Sequence, residues 1–353
     1  MISVFRDKNV KYHKNKNSVE KKSFPSIIYA YIFYFPMDNF KEKLQQFHLD
    51  IESLNYEISK KVIGQHTMIR DILIALFAKH ILIEAPGLAK TLAVETIAKT
   101  LNLNFNRIQF TPDLLPSDLV GSNIYRPEKS EFVVRKPIFS NFVLADEINR
   151  APSKVQSALL EAMAERQVSI GDTTFKLERP FIVLATQNPI EQEGTFKLPE
   201  AQLDRFLLKT VVSYPSEEEE LEILKNIDSI EESEVKKIFS KTDITDIQKL
   251  IDHIEVSENI YTYIKDIVFF TRHESTVTPY IAYPISPRAS LSLLKASKVR
   301  ACLEGREFVL PEDVKEMAYA SLRHRIILNY EALADGVEVD AIIAEILHQV
   351  AIV

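Results

Sequence analysis

The sequence has a single cysteine, Cys302, among 353 residues. No intrachain disulfide can form, and no set of Cys and His has the spacing of a structural zinc site. That usage suits the reducing cytosol and predicts a cytoplasmic protein. Tryptophan is absent too, but 46% of residues are hydrophobic, which is ample for a core. A basic excess is also missing. The formal charge of -7 gives no chain-wide footprint for a nucleic-acid backbone, so nucleic acid is a minority reading. The apolar run from Ile27 to Phe35 is far too short to span a bilayer, so stable membrane insertion is not expected.

That run closes an N-terminal stretch unlike the rest, in which a basic, polar segment from Arg6 to Lys22 precedes SFPSIIYAYIFYF. Residues 1–36 read as a non-native or disordered extension ahead of Met37, as a genuine surface tail, or as a membrane attachment. Residues 37–215 read as an α/β core and residues 216–353 as a helical lid. The pattern predicts helices over Asp38 to His66 and Thr67 to Lys79, a buried strand at Ile81 to Ile83, and a helix starting near Lys90. Two short strands between Asp118 and Phe139 follow. Next come a strand in NFVLADE, a helix from Ser153 to Arg166, a hairpin turning at Gly171-Asp172, and a strand in PFIVLATQNP. Beyond Tyr214 to Ser216 the reading is helical, beginning with EEEELEILKN and continuing over Asp243–His253, Glu258–Phe270, Pro287–Glu304 and Pro311–Arg325.

Chemistry concentrates at strand ends. A phosphate loop needs tight curvature, a lysine reaching the β- and γ-phosphates, and a hydroxyl for Mg²⁺. The run Glu84-Ala85-Pro86-Gly87-Leu88-Ala89-Lys90-Thr91 supplies the lysine and the hydroxyl, but Glu84 and Ala89 stand where the template GxxxxGK has glycines. Alone, it also suits an ordinary helix N-terminus with an exposed Lys90. Downstream, Asp146 and Glu147 end a hydrophobic strand, the first suited to hold Mg²⁺ through its water shell and the second to polarise an attacking water. Such acid pairs also arise without function. A third strand ends in Thr186-Gln187-Asn188, which brings an uncharged amide to the same place, as ligand sites in open α/β sheets require. Arg205 and Arg288 add the positive charge that phosphoryl transfer demands, unless they are solvated surface arginines.

With these residues in place, the sequence resembles the MoxR family of AAA+ ATPases, within the helix-2-insert branch that includes magnesium-chelatase ATPase subunits. The likeness covers roughly Phe40 to Tyr330, through PGLAKT, RIQFTPDLLPSD, LADEINRAP, QSALLEAMAERQV, LATQNPIEQEGTF, LPEAQLDRFLLK and SPRASL. It implies a P-loop AAA+ core with a parallel sheet and inserted β-hairpins, followed by an all-helical lid. By position, Lys90 and Thr91 resemble Walker A, Asp146 and Glu147 Walker B, Asn188 sensor 1, Arg205 an arginine finger and Arg288 sensor 2. Residues 84–91 with Asp146 would hold ATP, and Thr91 with Asp146 the Mg²⁺. Where the family loop begins Gly-Val-Pro-Gly, this chain has Glu84-Ala85-Pro86-Gly87. Either Glu84 replaces a glycine, or the loop is one residue shorter. Lys136 also departs from the family's usual glycine.

The resemblance implies Mg-dependent ATP hydrolysis in a hexameric ring. Hydrolysis would be coupled to chaperone-like remodelling, maturation or metal-cofactor assembly of a client, commonly with a von Willebrand factor A domain protein. A nucleotide-gated scaffold weakened by Glu84 and a motor subunit of a metal chelatase are the alternatives. Arg288 acts on its own subunit's nucleotide or on a neighbour's.

Overall fold

Three apolar strands set the architecture: β1 (Ile81–Glu84), β5 (Phe142–Asp146) and β8 (Ile182–Gln187) are buried on both faces, as central strands of a parallel sheet must be. The computed structural model describes residues 39–78, 80–84, 90–126, 131–135, 137–187, 195–273 and 275–352. Two further strands, β2 (Phe105–Gln109) and β9 (Leu208–Val211), close the edges. All five run parallel in the order β2-β5-β8-β1-β9. Two hairpins stand apart as two-stranded sheets, β3 (Ser122–Arg126) with β4 (Glu131–Arg135) and β6 (Gln167–Ile170) with β7 (Thr173–Lys176). Gly171 turns the second at φ 59°, a left-handed conformation that glycine adopts without steric cost.

The helices on the N-terminal side are α1 (Phe40–Ser59), α2 (His66–Ala78), α3 (Lys90–Thr100), α4 (Pro116–Val120), α5 (Ser153–Glu165) and α6 (Glu200–Leu203). Those that follow are α7 (Glu217–Glu232), α8 (Lys241–Asp252), α9 (Glu258–Phe269), α10 (Pro287–Leu303), α11 (Pro311–Leu322), α12 (Tyr330–Ala334) and α13 (Val339–Gln349). Their starts are chemically marked. Ser216 and Ser240 each accept from a backbone amide three residues on while Glu219 and Asp243 reach back, and Ser286 caps α10 ahead of Pro287. Of the last two helices, which the sequence reading does not single out, α12 is only five residues long, whereas α13 has eleven. β2 escapes that reading because an edge strand carrying Asn106, Arg107 and Gln109 has no apolar run. Among the described residues no helix is long and apolar enough to cross a membrane.

Alternation along the strands splits the core in two. Leu82, Val143, Ala145, Val183 and Ala185 pack with Leu119 of α4 and with Val155, Leu159 and Met163 of α5. Ile81, Ile83, Phe142, Leu144, Ile182 and Leu184 face the other way, onto α1, α2 and α3. That second cluster continues without a break into Ile264, Leu293, Val314 and Ile343 of the C-terminal helices. Burying one such Leu or Ile contributes about 1.5–3 kcal/mol. The lid is therefore seated on the core through α1 and α2 by a shared apolar interior, while its chain begins only after β9. Residues 1–36, including Ile27 to Phe35, lie outside the described residues, as does Lys136.

Candidate functional site

The order β5-β8-β1 places three strand tips side by side, so residues distant in sequence meet at the C-terminal edge of the sheet. Asp146 ends β5 and Thr186 lies one residue before the end of β8. The Thr186 hydroxyl donates to Asp146 Oδ1 at 2.5 Å and accepts from the Glu147 amide at 2.9 Å, fixing both acidic residues to the neighbouring strand. Lys90 opens α3 and is buried, which rules against an ordinary helix start with an exposed lysine. Burial pushes its ammonium below the ordinary lysine range, while the charges of Asp146 and Glu147 oppose that shift. Its proximity to both carboxylates is the electrostatic signature of a shared polar site. Thr91 follows it, half-buried.

Two residues with no assigned role in the sequence complete this cluster. Arg107 and Gln109 are two apart on β2 and so share a face. Arg107 bonds Asp146 Oδ2 through Nε at 3.0 Å and Nη2 at 2.5 Å, a forked pairing that lysine could not make. Gln109 accepts from Arg107 Nη2 at 3.0 Å and donates to Glu147 Oε2 at 2.9 Å. Glu147 itself sits in the left-handed region, φ 56° and ψ 50°, rare for a residue with a Cβ, and Arg150 lies 3.3 Å from its carboxylate. Their signal was present in RIQF, whose alternating polar residues could have been read as one face of an edge strand.

Glu84 is the last residue of β1, in register with Gln187 on one side and Val211 on the other, and its carbonyl accepts from Val212 N at 2.9 Å. Its carboxylate is ion-paired with Lys209 of β9. A strand residue with this pairing favours the shorter loop over a glycine replaced within the phosphate cradle. Ala85, Pro86, Gly87, Leu88, Ala89 and Asn188 lie outside the described residues.

The two arginines occupy the opposite end of the sheet. Arg205 follows α6 and donates through Nη1 to the Leu160 carbonyl of α5 at 2.9 Å. Arg205 and Arg288 line one cavity of about 520 Å³ together with His80, Glu161 and Glu165. His80 immediately precedes β1, whereas the phosphate-loop segment follows it, and four strand residues span about 13 Å. One chain thus presents Lys90, Asp146 and Glu147 at one edge of the sheet and both arginines at the other.

Comparison with known proteins shows which family the chain belongs to. Residues 80–208 match the model of the ATPase family associated with various cellular activities (AAA), and residues 273–346 match an AAA lid domain. The chain is 45% identical over 310 residues to Chaperone MoxR1 of Mycobacterium tuberculosis, covering 86% of this chain and 82% of that protein. The chain belongs to the MoxR family of AAA+ ATPases. It is 30% identical over 301 residues to Protein MoxR of Methylorubrum extorquens, covering 77% and 86% of the two chains. A crystal structure from Cytophaga hutchinsonii superposes with a TM-score of 0.83 at 49% identity, covering 89% of this chain and 98% of that one.

In this MoxR chain the lid grips the segment that carries Arg205. Arg325 bonds Asp204 Oδ1 at 2.8 Å and donates to the carbonyls of Phe206 at 2.7 Å and Leu207 at 3.2 Å. His324 Nε2 contacts the Phe206 carbonyl at 3.1 Å, which makes that nitrogen the protonated one. Burial holds the His324 imidazole well below the usual histidine range, with the Arg325 charge adding to the effect. Asp204 also accepts from Ser286 Oγ at 2.9 Å and lies 3.6 Å from Arg288. One carboxylate therefore ties the start of α10, the end of α11 and the arginine segment together.

The donor chemistry at Asp146 suits a hard cation. Its buried carboxylate already attracts a guanidinium, and its oxygens are of the type Mg²⁺ takes. Among the described residues no group of three or more His, Cys, Asp and Glu could hold a metal. Mg²⁺ fits that limit, since it is commonly held by one or two protein oxygens with water and phosphate oxygens completing the shell.

Proposed function

We propose that this MoxR ATPase hydrolyses ATP with Mg²⁺ in a hexameric ring and uses the energy for chaperone-like remodelling, maturation or metal-cofactor assembly of a client protein. In this reading Lys90 neutralises the β- and γ-phosphates, Thr91 and Asp146 hold Mg²⁺, and Glu147 polarises the attacking water, with Asn188 as its second anchor. Mg²⁺ supplies charge neutralisation at the phosphates. The loop that follows Glu84, residues 85–89, supplies the cradle's backbone in this reading, and Gln109 keeps Glu147 aimed. The core of residues 37–215 and the lid of residues 216–353 shift against each other through the Asp204 junction.

The observation that carries this reading is the separation of the two arginines from the carboxylates on one chain. Charge that develops on the transferring phosphoryl group needs cations at contact distance. A head-to-tail neighbour brings Arg205 and Arg288 to the Lys90 edge, so both act in trans. The likeness to a chaperone of the same family supports a protein client, and a von Willebrand factor A domain partner fits this reading.

The test mixes Arg205→Ala chains with Lys90→Ala chains, each nearly inactive alone. Mixed rings contain interfaces with an intact Lys90 site and an intact neighbouring Arg205, so ATPase activity should partly return. No recovery in rings shown to be mixed would remove Arg205 from its trans role. A client protein should stimulate turnover where DNA and RNA do not.

A further inference from the structure

Helix α7 is the least supported long element of the fold. It runs sixteen residues, yet of its apolar side chains Ile230 alone is buried among those described, while Leu221, Leu224 and Ile227 stand exposed, Leu224 by 70%. Those three repeat at helical spacing and form one outer stripe. Exposed Glu217 and Glu220 each lie four residues ahead of a stripe leucine, and Asp228 lies four residues beyond Leu224. A solitary leucine on a surface needs no explanation, but a three-member stripe on an outlying helix does.

Position and charge together indicate what covers it. The chain enters α7 from the tip of β9, where Val212 N is bonded to Glu84 O, one residue before the phosphate-loop segment. Nearby, Gln65 donates to Ser213 O at 3.2 Å, and Gly64, at φ 69°, leaves room for the Glu219 carboxylate against its Cα. α7 therefore rises from the rim of the Lys90 edge. At the arginine end, α10 presents Arg288, Leu291 and Lys295 to solvent at positions i, i+3 and i+7, with Leu291 exposed by 59%. One face is acidic with a leucine stripe, and the other is basic around a leucine.

We propose that the α7 stripe is the seat for the Arg288–Leu291–Lys295 face of α10 from a second copy of this chain. The inference rests on the trans role of Arg288: a copy that brings Arg288 to its neighbour's nucleotide carries α10 alongside the helix that springs from the same rim. The contact is heterologous, acidic α7 to basic α10, and repeats from copy to copy as a ring requires. Opposite charges flanking two leucine ridges fix partner and register.

Leu224→Asp and Lys295→Glu should each raise the protein concentration needed for half-assembly with ATP at least tenfold by sedimentation, about 1.4 kcal/mol per tenfold. Far-UV circular dichroism should not change, because both positions are exposed. Glu220→Lys placed in the Lys295→Glu chain should restore assembly. Chains carrying Leu224→Cys, mixed with chains carrying Leu291→Cys, should form an interchain disulfide under mild oxidation. The native Cys302 stays out of that reaction, being buried with its thiol pushed up to about 12. Rings that assemble equally well with Leu224→Asp and give no cross-link overturn this seat and leave the ring standing. A wild-type chain that stays monomeric at every concentration while fully active overturns the ring and the seat together. Amides of α7 that are protected from exchange in the monomer, and lose protection on truncation to Met37, would make the chain's own N-terminal segment the occupant instead.

Discussion

Replacing Arg325 by methionine tests whether the lid holds the arginine-bearing segment in place. The substitution keeps much of the apolar stem and deletes the guanidinium. What it strands is specific: the Asp204 carboxylate, bonded at 2.8 Å, and the carbonyls of Phe206 and Leu207. Breaking one partner of a buried ion pair costs about 3–5 kcal/mol. Asp204 retains Ser286 at 2.9 Å and Arg288 at 3.6 Å, and Phe206 O retains His324, which places the cost at the low end. If residues 39–353 unfold as one unit, about 3 kcal/mol set against an unfolding entropy of about 2.1 cal/mol/K per residue lowers Tm by about 4–5 °C. Calorimetry would read that fall. A cycle with Asp204→Asn should return a coupling of about 1–3 kcal/mol, because the two changes remove one interaction. ATP affinity should hold, since Arg325 grips the end of the sheet remote from Lys90, while turnover should drop as Arg205 loses its placement. A Tm within about one degree of wild type, against the fall of about 4–5 °C that the entropy scaling gives, or strictly additive single changes, would refute the argument.

Glu147→Gln should keep ATP bound and slow its hydrolysis about 10²- to 10⁴-fold, whereas Lys90→Ala should lose binding; calorimetric titration beside steady-state turnover separates the two. Glu84→Gly should fail to tighten ATP binding, and should cost about 1–2 kcal/mol from strand entropy and the lost Lys209 pair. Tighter binding would return Glu84 to the phosphate cradle. His324 is buried neutral with its folded-state pKa depressed, so below about pH 6.5 the unfolded chain takes up a proton that the folded chain does not. Stability should therefore fall with decreasing pH at up to about 1.4 kcal/mol per unit until the folded group titrates. His324→Gln should flatten that slope in denaturant midpoints measured from pH 7 to 5, and an unchanged slope would assign it to other groups.

How much was legible follows from the range of each interaction. Local chemistry is written along the chain. Apolar runs bounded by turn residues pointed to β1, β5 and β8, the Glu-rich run EEEELEILKN and the prolines Pro287 and Pro311 pointed to starts of lid helices, and a lysine-hydroxyl pair after a strand singled out Lys90 and Thr91. The order of these motifs, with the acid pair at Asp146 and Glu147, was enough to place the chain in its family. What the sequence left open were choices between neighbours in space. The exposed or buried state of Lys90 depends on the helix packing around it. The partner of Glu84 is Lys209, more than a hundred residues away, and only the pairing of β1 with β9 brings them together. Arg107 and Gln109 carry no assignment in the sequence, and their place comes only from β2 lying beside β5 with Gln109 opposite Asp146. The separation of Arg205 and Arg288 from the carboxylates is likewise a property of the sheet, whose two ends receive residues by strand direction and not by distance along the chain. A single sequence encodes which side chains can carry charge or donate a hydrogen bond. Strand order and helix docking decide which of them share a low-dielectric site and which must wait for a second copy of the chain.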